Sequence, residues 1–115
     1  MTTVSVFGGT GFLGRRLMRR LVAEGATLRI AVRSPDRARG VLRAADLDRV
    51  TVSRADVRDQ ASVAAAVAGV DAVVNAVSAY VEKAGVTFES VHEQGAKTVA
   101  QEAASASVAR LVLVS

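Results

Sequence analysis

The sequence predicts a single α/β domain with a parallel sheet of five strands, and two observations carry this prediction. Short, almost continuously apolar runs alternate with segments in which apolar residues recur every three or four positions. The runs are typical of parallel strands covered on both faces, and the recurrence is typical of amphipathic helices. Such alternation favours right-handed crossovers. The predicted strands are Thr3–Phe7, Thr27–Val32, Val50–Ser53, Asp71–Ala76 and Arg110–Val114.

Four helices are predicted between these strands. Leucines recur every fourth position through the first helix, and Gly25 ends it at a site that favours glycine. Ser34 and Pro35 begin the second helix as N-cap and first-turn proline, and Asp59 or Gln60 begins the third. The helices cover residues 12–24, a segment from 34 onward, 59–69 and about 87–107. The residues predicted on the packed face of the fourth helix are Phe88, Val91, Gly95, Val99 and Ala103.

Composition narrows the function classes. The chain has 115 residues, no cysteine and one histidine, which excludes disulfides and most zinc sites. No apolar run approaches the ~18 residues of a spanning helix, and the start lacks a secretory pattern, so we expect a cytoplasmic protein. With 3% aromatic residues it offers almost no stacking platform for nucleic acid. The net charge of +4 comes from arginines concentrated in two groups: Arg15, Arg16, Arg19 and Arg20, then Arg29, Arg33, Arg37 and Arg39.

A glycine-rich loop lies between the first strand and the first helix. Its spacing fits Gly8-x-x-Gly11-x-x-Gly14, and Gly9-x-Gly11-x-x-Gly14 fits as well. Glycines here permit a tight turn, close approach of the backbone to a pyrophosphate, and close packing of the helix on the strand. The first-turn N–H groups and the helix dipole then face the phosphates. The sequence therefore predicts a Rossmann-like doubly wound sheet, order 3-2-1-4-5, that binds a dinucleotide. The alternative is a glycine turn without ligand.

The residue at the end of the second strand bears on which dinucleotide binds. Many folds that prefer NAD carry an acid here for the ribose 2′-hydroxyl. This chain has Arg33, which favours a 2′-phosphate, and Arg37 in the next helix could add a contact. The sequence therefore predicts NADP(H) in preference to NAD(H). The alternative is that Arg33 only faces solvent.

Several segments together resemble the extended and atypical short-chain dehydrogenase/reductases. They are the glycine loop and residues 56–59, 75–77 and 111–115. Residues 80–83 and 87–96 make the chain most similar to the NAD(P)-binding Rossmann accessory subunit of respiratory complex I and its bacterial relatives.

The resemblance implies further cofactor contacts. Asp56 would accept a hydrogen bond from the adenine amino group with Val57 beside the ring, or else cap the next helix. Asn75 would line the adenosine and ribose, or else tie neighbouring loops together, and Ser115 matches the first serine after the fifth strand. The complete predicted cofactor site is Gly8, Thr10, Gly11, Phe12, Leu13, Gly14, Arg33, Arg37, Asp56, Val57, Asn75, Ala76, Val77 and Ser115.

No catalytic residue is assigned. Catalytic relatives use Tyr-x-x-x-Lys, in which the ammonium lowers the tyrosine pKa so that the phenolate acts as a base. Here Lys83 follows Tyr80 by three positions and precedes the fourth helix. His92 lies where catalytic relatives often have an asparagine, and we interpret it as a packing residue.

Two functions remain open from sequence. One is a domain with a structural or regulatory cofactor, like the complex I subunit, with a protein partner or a homo-oligomer. The other is the N-terminal, cofactor-binding half of an oxidoreductase or nucleotide-sugar epimerase. Because the chain stops after the fifth strand, we expect the N-terminal part of a longer protein or an unusually short domain. The first arginine group is either a solvated helix face or a docking face, and the resemblance suggests a peripheral position at the inner membrane face.

Overall fold

Strands and helices alternate along the described part of the chain. A computed structural model describes residues 2–8, 12–41, 49–76 and 95–113. The strands are β1 (Thr3–Phe7), β2 (Thr27–Val32), β3 (Val50–Arg54), β4 (Ala72–Asn75) and β5 (Arg110–Leu113). The helices are α1 (Phe12–Ala23), α2 (Pro35–Val41), α3 (Gln60–Val67) and α4 (Gly95–Ser105).

The five strands form one parallel sheet in the order β3-β2-β1-β4-β5, which confirms the predicted topology. β1 is central, with Phe7 beside both Ala31 of β2 and Asn75 of β4. From β1 the chain builds outward through β2 and β3, then crosses back to add β4 and β5 on the other side. The carboxyl ends of β1 and β4 therefore flank the point where strand order reverses, which is where doubly wound sheets bind ligands.

Side chains alternate between two apolar layers because successive strand residues point to opposite faces. Val74 of β4 packs in the layer that holds α1 and α2, whereas its neighbour Val73 packs in the layer that holds α3 and α4. Burial on both faces explains why the strands read as continuous apolar runs. In α1 the Met18 side chain is buried, at 2% exposure, while Leu17 and Leu21 are only partly buried.

Left-handed residues follow three of the helices, and after α3 this residue is Gly69, with φ +73°. Gly25, with φ +94°, follows α1, and two N–H groups, of Gly25 and Ala26, donate to carbonyls of the last turn, as predicted. Ser107, with φ +58°, follows α4 in the same arrangement. The fourth helix therefore ends at Ser105 and not at 107, because the left-handed residue turns the chain away. Its predicted residues 87–94 lie outside the described ranges.

Other element ends differ from prediction by one or two residues, since terminal hydrogen bonds are not encoded by periodicity. α1 ends at Ala23, α3 at Val67, and β3 extends to Arg54. β4 is shorter than predicted, at Ala72–Asn75.

Candidate functional site

The strand ends bring part of the predicted site to one edge of the sheet. The Ala76 N–H donates to the Phe7 carbonyl at 2.8 Å, which aligns the ends of β4 and β1. The Ala55 N–H donates to the Val32 carbonyl at 2.8 Å, which aligns the ends of β3 and β2. The predicted residues that directly follow or end these strands thus lie along one carboxyl edge: Gly8, Arg33, Asp56, Asn75 and Ala76.

The glycine loop is described at its two ends. Gly8 follows β1 with φ +81°, a conformation that side-chain-bearing residues rarely adopt. Gly14 is buried in the first turn of α1, consistent with close packing of helix on strand. The backbones of Phe12 and Leu13 begin α1, so the helix N-terminus is directed toward this edge. Thr10 and Gly11 lie outside the described residues.

The second arginine group does not form one cluster. Arg29 is the third residue of β2, and its guanidinium donates to the carbonyls of Ala66 and Ala68 at 3.1 and 2.8 Å. It therefore neutralises the carboxyl end of α3, apart from the carboxyl edge of the sheet where Arg33 lies. Arg39 pairs with Asp36 at 3.2 Å on the surface.

Arg33 remains at the candidate site. It follows β2 directly and is exposed. It lies four residues beyond Arg29, which corresponds to about 13 Å along the strand axis. Arg37 is part of α2, and its backbone places it one turn into the helix that begins after Arg33.

Asp56 is held by Arg58. The carboxylate accepts from the Arg58 backbone N–H at 2.9 Å and from the guanidinium Nε and Nη2 at 3.1 and 2.8 Å. The Asp56 side chain is 12% exposed, against 39% for Arg58. The hydrogen bond from the Arg58 side chain holds the pKa of Asp56 below its usual value, against the opposing effect of burial, and the positive charge of Arg33 adds to the lowering. Asp56 is therefore ionised and oriented near neutral pH.

The helix that follows is capped by Asp59, not by Asp56. The Asp59 carboxylate accepts from the N–H groups of Ala61 and Ser62 at 3.1 and 3.4 Å. This leaves Asp56 available for a role other than helix capping. The contact between Arg58 and Asp56 was not predicted from the sequence. The two residues are visibly close in sequence, but hydrophobic periodicity does not indicate the direction in which a side chain in a turn points.

Two other predicted residues are buried at this edge. Val57 is 7% exposed and packs against Gly95 at the start of α4, so core packing accounts for its position. Asn75 ends β4 and is 4% exposed. The remaining predicted or discussed positions fall outside the described residues: Val77, Tyr80, Lys83, His92 and Ser115.

Within residues 2–8, 12–41, 49–76 and 95–113, no helix is long and apolar enough to cross a membrane. In the same ranges, no three His, Cys, Asp or Glu side chains are grouped so that they could hold a metal ion.

A protein-family model described as NAD(P)H-binding matches residues 8–115. The chain is 34% identical over 113 residues to the mitochondrial NADH-ubiquinone oxidoreductase 40 kDa subunit of Neurospora crassa, covering 98% of this chain and 30% of that protein. It is 33% identical over 97 residues to mitochondrial NADH dehydrogenase (ubiquinone) 1 alpha subcomplex subunit 9 of Arabidopsis thaliana, covering 84% of this chain and 24% of the relative. The chain thus spans less than a third of these relatives.

Among solved structures, uronate dehydrogenase from Agrobacterium tumefaciens superimposes with a TM-score of 0.76 at 29% identity. The match covers 100% of this chain and 41% of that enzyme, and a variant of the same enzyme was solved in complex with NAD.

Proposed function

Because this chain belongs to the NAD(P)H-binding family, we propose that it binds NADP(H) in preference to NAD(H) at the carboxyl edge of its sheet. The observation that carries the preference is the exposed Arg33 at the end of β2, where an acid would favour NAD. An arginine can pair with a 2′-phosphate through two parallel hydrogen bonds.

In this proposal, different residues along the edge bind different parts of the cofactor. The loop from Gly8 to Gly14, with Thr10, Gly11, Phe12 and Leu13, faces the pyrophosphate. The positive φ of Gly8 and the buried Gly14 fit such a close approach of backbone to phosphate. Arg33 and Arg37 face the 2′-phosphate. Asp56 accepts from the adenine amino group. The positions proposed along the adenosine and ribose are Asn75, Ala76 and Val77, with Val57 beside the adenine ring and Ser115 as a further cofactor contact.

Titration of the purified protein with NADPH and NADH tests the preference. We expect Arg33→Ala to weaken NADPH binding roughly ten- to a hundredfold through loss of a charge-assisted contact, with a much smaller effect on NADH. Arg110→Ala is the matched control, because it removes the same charge from the amino end of β5. Equal affinities for both dinucleotides, unchanged in Arg33→Ala, would sink the NADP(H) assignment.

We propose that the bound cofactor has a structural or regulatory role, since the chain is similar to two relatives named as subunits of NADH-ubiquinone oxidoreductase and NADH dehydrogenase. Mass spectrometry of ligand released from the purified protein checks it, and recovery of NADPH at near-stoichiometric amount is expected. Protein that purifies without dinucleotide and turns it over with a substrate would contradict this role. That result would favour the second candidate, the N-terminal half of an oxidoreductase or epimerase, which the similarity to uronate dehydrogenase supports.

We also propose that the protein binds a partner in a respiratory-type complex, and that it lies on the cytoplasmic side, at the inner face of the membrane. On α1, Arg16, Arg19 and Arg20 are exposed and Arg15 is partly exposed, and α1 contains no acid. Replacing these four residues by glutamine should release the protein from a membrane-associated complex during fractionation. A protein that fractionates alone in both forms would argue against a partner, and a larger species of the purified protein would indicate a homo-oligomer instead.

A further inference from the structure

We propose that Arg58 determines the phosphate preference of the candidate dinucleotide site by compensating the charge of Asp56. The inference rests on the proposed function and assigns a specificity role to a residue outside the predicted cofactor site. A bare carboxylate here would repel a 2′-phosphate, whereas a compensated one would not.

The sheet places the two groups side by side. Val32 is paired with Arg54, and the Ala55 N–H donates to the Val32 carbonyl, so the chain segments that carry Arg33 and Asp56 leave the sheet next to each other. Arg33 is close enough for its charge to favour the ionised form of Asp56. A phosphate bound by Arg33 would therefore lie within the electrostatic reach of the Asp56 carboxylate, because neighbouring strands are only about 5 Å apart and exposed charges interact over roughly 10 Å at 0.1 M salt.

The contacts of Arg58 suit this compensating role. A carboxylate has roughly four lone-pair positions, and Arg58 donates to three through Nε, Nη2 and its backbone N–H. The guanidinium also cancels the formal charge at contact distance, 2.8 Å from Oδ2. A neutral amino group needs a single lone pair, so the carboxylate can still accept one hydrogen bond while adding little net negative charge. Adenine recognition and phosphate tolerance are thereby compatible at one carboxylate.

Arg58 also has the exposure that such a role needs. Its side chain is 39% exposed, while that of Asp56 is 12% exposed, so the pair presents its cationic partner toward solvent and the carboxylate toward the protein. Together with Arg33, this gives a positive field at the ends of β2 and β3, and a positive field favours the more highly charged dinucleotide.

The test compares the ratio of NADPH to NADH affinity in wild-type protein, in Arg58→Met and in Arg58→Met/Asp56→Asn. We expect Arg58→Met to lower this ratio roughly tenfold at low salt, and the loss to shrink as salt screens the exposed charge. Adding Asp56→Asn should restore the ratio, because the uncompensated charge is then gone. Arg110→Met is the matched control, since it removes an exposed arginine from the amino end of β5, away from this edge.

The outcomes separate the two proposals. If Arg58→Met weakens both dinucleotides equally, or if Asp56→Asn does not restore the ratio, Arg58 merely supports the fold and the inference is wrong. If wild-type protein binds neither dinucleotide, the proposed function itself fails. A thermal unfolding transition shows whether the Arg58→Met protein is folded. In a folded variant, a lower ratio of NADPH to NADH affinity reports a change in specificity.

Discussion

Gly95 and Val57 are in contact so close that no side chain fits between them. A Cβ placed on Gly95 would lie 2.7 Å from Cγ2 and 3.0 Å from Cβ of Val57. Val57 sits in the turn after Asp56, and Gly95 begins α4, so this contact fixes the helix against the same turn that carries the candidate adenine contact.

Gly95→Ala should therefore lower the free energy of unfolding by about 1–3 kcal/mol, because the new methyl group overpacks a buried contact. Urea denaturation measures the change. Adding Val57→Ala should recover part of the loss. Gly40→Ala in α2 is the control, because a Cβ there meets nothing within 4 Å and alanine should gain about 0.5–1 kcal/mol. A Gly95→Ala protein as stable as wild type would show that α4 can shift freely.

Ser107 follows α4 with a φ of +58°, and among the described residues it is the one non-glycine with positive φ. We predict that Ser107→Gly raises the free energy of unfolding by about 0.5–1 kcal/mol, because glycine avoids the crowding of a Cβ in a left-handed residue. Thermal unfolding measures this gain. The same change at Ser105, inside the last turn of the helix, should give no gain. If glycine stabilised the protein at both positions, the gain could not be attributed to the left-handed backbone of Ser107.

Ser5 and Arg29 are neighbours on adjacent strands and converge on one carbonyl. The Ser5 hydroxyl, fully buried, and the Arg29 guanidinium both donate to the carbonyl of Ala66 near the end of α3. Arg29→Met should cost about 1–2 kcal/mol of stability, since it removes a cation and several donors from a helix C-terminus.

A double-mutant cycle of Ser5→Ala and Arg29→Met should show coupling of about 0.5 kcal/mol or more, because the two donors share an acceptor. Arg19→Met on the exposed side of α1 is the control. Strictly additive losses would indicate that the two side chains act independently.

The Asp56–Arg58 pair predicts an acid-dependent loss of stability. Arg58 lowers the pKa of Asp56 in the folded protein, so the pair's contribution is complete above the unfolded pKa of about 3.9 and is lost as pH falls through the lower folded value. Asp56→Asn should cost about 1–3 kcal/mol at pH 7. Denaturant unfolding measured from pH 7 to pH 3 should show the difference between the two proteins shrinking below about pH 4.

The same substitution at Asp36, whose side chain is fully exposed in its pair with Arg39, is the control and should cost little stability at pH 7. A constant difference between wild type and Asp56→Asn down to pH 3 would contradict the assignment of this titration to Asp56.

Periodicity and turn chemistry allowed most of the architecture to be predicted. Both are local, and each strand run or glycine stop needs only its own neighbours to be recognised. The strand order could also be predicted, because crossovers between parallel strands are right-handed and this leaves few alternative topologies. The structure places Gly8, Arg33, Asp56 and Asn75 on one edge, since parallel strands end together.

The sequence by itself thus determined the sheet and its strand order, because those depend on spacing along the chain, and parallel strands share one carboxyl edge. Only the tertiary structure decided which charges belong to that edge. In the folded chain Arg29 binds the end of α3, Asp56 pairs with Arg58, and Gly95 packs against Val57. Such choices depend on which way a side chain points and what lies opposite it, and the elements that meet there come from distant parts of the chain.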